Sequence, residues 1–62
     1  MGTMHQLEAL RSRLMAEQRD IVLRAAGTRA LPPWSTILHI AQLENAIQAA
    51  EAALQQVASR EM

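Results

Sequence analysis

The sequence is poor in the residues that would give a small chain its own means of support. It has no cysteine, no phenylalanine, no tyrosine, a single aromatic residue in Trp34, and only two glycines and two prolines in 62 residues. Without cysteine there is no disulfide staple, no thiolate zinc site and no thiol nucleophile. There is no basic excess either: six Arg balance Asp20 and five Glu, so the formal charge is zero. General nucleic-acid binding, which rests on such an excess, is disfavoured. No apolar run approaches the roughly 20 residues of a membrane span. The N-terminus lacks the basic start and apolar stretch of a secretory signal. Met1-Gly2-Thr3-Met4 opens like a myristoylation signal, but Gln6 stands where Ser or Thr is required; residues 1–3 read equally well as a cloning remnant ahead of Met4. These exclusions leave a small soluble protein, expected in the cytoplasm. A chain this short makes one domain (1–62) with a thin interior, so it is expected to need a partner or a second copy of itself.

What is present favours helix. Ala occurs twelve times, Leu eight and Gln six, all strong helix formers, and no stretch alternates with period two. The one break is Gly27-Thr28-Arg29-Ala30-Leu31-Pro32-Pro33. Gly27 suits the left-handed conformation that ends many helices, Pro33 suits a first helical turn, and the residues preceding each proline are pushed out of helical geometry. The reading is helix 1 over about 4–26, a turn over 27–32 and helix 2 over about 33–59. So short a connection makes the helices antiparallel neighbours, an all-α, coiled-coil-like helical hairpin.

Helix 2 carries the clearest pattern. Thr36, Ile40, Leu43, Ile47, Ala50, Leu54 and Val57 alternate spacings of four and three, an unbroken run of a and d heptad positions. Ala46, Ala49 and Ala53 flank this seam and permit close approach. Helix 1 has a wider arc centred on Leu7, Leu10, Leu14, Ile21 and Ala25. Met4, Met15 and Val22 extend it to one side, with Arg11 and Gln18 near its middle. That width exceeds what a two-helix contact uses.

A second apolar patch lies on the back of helix 2: Trp34, Leu38 and Ala41 at i, i+4, i+7, with Ile37 beside them. Leu23 is a similar outlier on helix 1. A lone hairpin would leave these in water, and contiguous exposed apolar surface usually marks an interaction site. Burying Trp34, Ile37 and Leu38 would contribute about 1.5–3 kcal/mol each. Trp34, Ile37, Leu38, Ala41, Met4, Met15 and Val22 are therefore the candidate partner-binding residues. For Trp34 two readings stand side by side, a cap folded over the turn and an anchor at a partner surface, where Trp is enriched.

The charges divide mildly. Residues 1–31 hold five Arg against Glu8, Glu17 and Asp20, a net of +2; residues 32–62 hold Arg60 against Glu44, Glu51 and Glu61, a net of −2. Glu8–Arg11 and Asp20–Arg24 have intrahelical pairing distances. The arginines are spread round helix 1, which suits a solvated face better than a phosphate site. His39 sits at the edge of the helix 2 seam and is expected to be half-buried there; His5 lies near the N-terminus. Neither has metal-ligand spacing, so no metal or cofactor is expected. Ser12, Ser35 and Ser59 lack a His–acid pair, there is no Gly-rich phosphate loop, and two helices offer little concavity for a small-molecule substrate. The sequence argues against an enzyme.

Leu7-Glu8-Ala9-Leu10, Asp20-Ile21-Val22-Leu23 and, most specifically, Leu43-Glu44-Asn45-Ala46-Ile47-Gln48-Ala49-Ala50-Glu51 resemble the small co-chaperones of type III secretion systems (YscE/SsaE/EscE type), over about Leu7 to Val57. The Pro32-Pro33-Trp34 turn matches no hallmark of that family. The resemblance implies a short helical hairpin in the bacterial cytoplasm, pairing with a helical-repeat chaperone to keep the needle subunit soluble and unpolymerised until export. The rival class is a homo-oligomeric regulator of phage or plasmid type, in which two hairpins form a four-helix bundle. A DNA-binding helix-turn-helix is disfavoured by helix length, the proline-rich turn and neutral charge.

Overall fold

The computed structural model describes residues 2–60. It consists of two helices, α1 (Thr3–Ala26) and α2 (Trp34–Arg60), joined by residues 27–33. Met1, Glu61 and Met62 lie outside the described residues, and with them the start of the myristoylation-like stretch and one carboxylate of the charge tally. Helices of 24 and 27 residues are roughly 36 and 40 Å long at 1.5 Å per residue. They fold back on each other into a rod of 49 × 17 × 13 Å. Its radius of gyration is 14.6 Å, against about 10.5 Å for a compact domain of this length.

The turn differs from the sequence expectation in its mechanism. Gly27 is not left-handed: it keeps φ −75° and ψ −6°, and its N–H is shared between the carbonyls of Leu23 and Arg24. The stop falls one residue later. The Thr28 N–H donates to Ala25 O at 3.3 Å, and its hydroxyl lies 3.1 Å from Ala25 O and 3.2 Å from Ala30 O. A side chain that satisfies terminal carbonyls competes with further helix, so no positive-φ cap is needed. At the far side the Pro33 carbonyl accepts from Thr36 N at 3.0 Å and Ile37 N at 3.2 Å. Pro33 thus stands just ahead of α2 and opens it, one position earlier than the first-turn role read from the sequence.

The interface between the helices is a heptad seam on both sides. On α2 the three buried residues, Leu43, Ile47 and Ala50, all belong to the expected run, and Thr36, Ile40, Leu54 and Val57 are half-buried. Ala46 and Ala53 flank it half-buried, whereas Ala49 is exposed. On α1 the seam is Met4, Leu7, Arg11, Leu14, Gln18, Ile21 and Ala25, spaced alternately by three and four; Ile21 is buried and the rest half-buried. Leu10, expected at the centre of the α1 arc, lies outside it and is exposed. His39 is also exposed rather than half-buried, because a single neighbouring helix covers the a and d stripe and leaves its margins in water.

Arg11 and Gln18 occupy seam positions because α2 presents carboxylates to them. Arg11 Nε donates to Glu51 Oε2 at 3.2 Å. Gln18 Nε2 donates to Glu44 Oε1 at 2.9 Å and to the Ile40 carbonyl at 3.3 Å. The two clasps are seven residues apart on each helix, and in both the residue numbers sum to 62. They therefore share one antiparallel register, in which residue i of α1 stands within a residue or two of the level of residue 62 − i of α2. Arg11 pairs across the hairpin and not with Glu8, and Arg24 Nε reaches the Asp20 backbone carbonyl at 3.4 Å instead of its carboxylate.

Candidate functional site

A two-helix hairpin has two broad flanks, because one side of each seam faces each way. In an antiparallel pair the e positions of both helices share one flank and the g positions share the other. The register puts Met15 and Val22 of α1 on the e flank, together with Ile37, Glu44 and Glu51 of α2. Trp34 and Ala41 lie immediately outside Ile37, and Leu38 continues the surface onto the back of α2. Met15, Val22, Trp34, Ile37 and Leu38 are all exposed, Trp34 by 73 % of its surface. Ala41 is exposed as well.

Six of the seven candidate residues are thus on one flank and its outer edge, with Met15 about 10 Å along it from Val22. Met4 is the exception. It is half-buried at an a position of the seam, eleven residues or about 16 Å along the helix from Met15. The Trp34 question is answered by exposure: the indole does not cap the hairpin. Pro32 is the half-buried residue at the turn, where it lines a shallow depression together with Ile21, Ala25 and Thr36.

That depression, of about 310 Å³, lies on the g side of the turn and is lined by Ile21, Arg24, Ala25, Thr28, Pro32, Pro33 and Thr36. It is open to solvent and holds a single charged group, so it lacks the convergent polar atoms that would orient a small molecule. Among the described residues no three His, Cys, Asp or Glu side chains come together as a metal site. No helix among the described residues is long and apolar enough to cross a membrane.

The electrostatics separate the flanks. On α2 the e flank carries Glu44 and Glu51, and both are already hydrogen-bonded, Glu51 to Arg11 and Glu44 to Gln18 and Gln48; on α1 it carries Glu8, towards the open end. Covering partnered carboxylates costs less than covering free ones. The clasps were not legible from local sequence, since each joins residues 26 or 40 apart. The available signal was the matched seven-residue spacing of Arg11–Gln18 and Glu44–Glu51.

No known protein family, no curated protein and no solved structure matches this chain.

Proposed function

We propose that this chain is a non-enzymatic protein-interaction subunit and, following its resemblance to the type III secretion co-chaperones, that it pairs in the bacterial cytoplasm with a helical-repeat chaperone and helps hold the needle subunit unpolymerised before export. The observation that carries the reading is the exposed surface of Met15, Val22, Trp34, Ile37 and Leu38 on a hairpin in which four of the described residues are buried. Such a hairpin is stabilised by whatever covers that surface. The role requires coverage of apolar helix faces and no bond-making chemistry.

The test is reconstitution. The purified chain is mixed with a helical-repeat chaperone of a type III system and its needle subunit, and the mass of the products is measured. The expected result is a stoichiometric complex that keeps the needle subunit soluble, abolished by Leu38→Glu while the isolated variant stays helical. Absence of a complex, with the wild-type hairpin folded, overturns the assignment.

A further inference from the structure

The e flank carries a second implication, which uses only this chain. Its accessible surface is 5016 Å², whereas a compact monomer of 6.9 kDa exposes about 4000 Å². The difference, about 1000 Å², is close to the roughly 800 Å² that each partner contributes to an interface of standard size. One further hairpin laid along one flank is the right amount of cover.

The flank is also self-complementary. Arg19 lies at the outer edge of α1, four residues after Met15 and three before Val22, is exposed, and makes no ion pair among the described residues. Glu44 lies on the α2 side of the same flank. The clasp register places Arg19 near the level of Leu43, within about one helical turn of Glu44. A two-fold axis running along the hairpin exchanges α1 of one copy with α2 of the other and preserves level. It therefore sets each Arg19 near the other copy's Glu44 and each Val22 against the other copy's Ile37–Ala41 edge, with Met15 about two turns further along the same flank. An axis perpendicular to the hairpin at its midpoint would instead lay the apolar turn end of each copy over the polar open end of the other, against residues such as His5 and Gln55.

We propose that the chain forms a two-fold dimer through the Met15–Val22–Ile37 flank, with both turns at the same end and Arg19 of each copy paired with Glu44 of the other. The dimer is a four-helix bundle in which every neighbouring pair of helices is antiparallel, and it uses part of the surface assigned above to the protein partner, so the two compete.

Sedimentation of the full chain across a concentration series tests the association, with circular dichroism confirming the helicity of each variant. The expected species is a dimer. Arg19→Glu and Glu44→Arg should each weaken it about tenfold or more, and the two changes together should recover most of the loss, as expected for a charge pair across an interface. Orientation is read from pyrene excimer fluorescence on Ala30→Cys at the turn and, separately, on Gln6→Cys at the open end. Both should give excimer. Excimer at the turn alone would mean an end-on contact, and excimer at neither would mean the perpendicular axis; either overturns the proposal, as does a monomer at all concentrations or a charge swap without recovery. A monomer that nevertheless binds the helical-repeat chaperone would refute this dimer and leave the proposed function standing. A dimer with these properties that ignores the chaperone would do the reverse.

Discussion

The two ends of the hairpin use their apolar residues differently. Towards the open end Met4, Leu7, Leu14, Ile47, Ala50, Leu54 and Val57 are in the seam, buried or half-buried, and the outer faces show mostly Gln, Glu, Ser, Arg and Ala, with Leu10 and Met15 the large apolar residues exposed there. Towards the turn, Ile21, Ile40 and Leu43 maintain the same seam, yet Val22, Leu23, Leu31, Trp34, Ile37 and Leu38 are exposed around it. Both ends have the same two helices and the same heptad spacing. The exposed apolar residues at the turn are therefore surplus to what the hairpin itself can bury. A surplus concentrated at one end points to association, since a fold limited only by its size would leave apolar residues exposed evenly along its whole length.

The comparison is broken most forcefully by one large-to-small change at each end. Ile47→Ala, at a position 6 % exposed, should destabilise the chain by about 2–5 kcal/mol, enough to unfold much of so small a domain. Leu38→Ala, at a position 45 % exposed, should change the monomer by no more than about 0.5 kcal/mol. Thermal melts followed by circular dichroism, at concentrations where the chain is monomeric, measure both. Equal costs would mean that Leu38 belongs to the core and that the ends do not differ.

A smaller effect is expected in the seam. Gln18→Leu replaces a half-buried polar group with an apolar one of similar size and should raise stability by about 1 kcal/mol. It should also loosen register, because a polar residue at one a position specifies alignment at a cost in stability. Cysteine pairs placed in and out of the 62 − i register, with their cross-linking rates compared, would expose the slippage. A variant that is both less stable and unchanged in register would show that the hydrogen bonds of Gln18 to Glu44 and the Ile40 carbonyl outweigh apolar burial and do not set the alignment.

At the turn, Gly27→Ala sharpens the account of how α1 ends. Gly27 is right-handed, and an added Cβ would stand 3.5 Å from Arg24 O and 3.7 Å from Leu23 O, ordinary contacts. The change should stabilise by about 0.4–1 kcal/mol by restricting the unfolded chain. A loss of stability would indicate the left-handed cap that the sequence suggested.

The smallest effect belongs to the clasp nearer the open end. Arg11 and Glu51 are 40 % and 46 % exposed, so water screens the pair. A double-mutant cycle with Arg11→Met and Glu51→Gln should give a coupling of about 0.2–1 kcal/mol that shrinks as salt is added. A coupling of several kcal/mol, insensitive to salt, would mean that this end is far better buried than its exposure indicates.

Two helices, the break between them and the α2 seam follow from the sequence alone. Helix propensity and the spacing of Thr36 to Val57 are local properties, and a seven-position heptad run with six apolar residues admits one reading. The α1 seam does not follow. Arg11 and Gln18 interrupt its apolar spacing, which made Leu10 look central and Met4 peripheral. Only the fold brings Glu51 and Glu44 across to satisfy them, from 40 and 26 residues away. The same holds at Gly27, whose left-handed option is a property of glycine, while the conformation adopted was decided by the Thr28 hydroxyl and the carbonyls it reaches. Surplus is also a tertiary quantity. The sequence shows that Trp34, Ile37 and Leu38 face away from the α2 seam, but only the packed hairpin, with one helix to offer and two flanks to cover, leaves them exposed together with Met15 and Val22 on one surface.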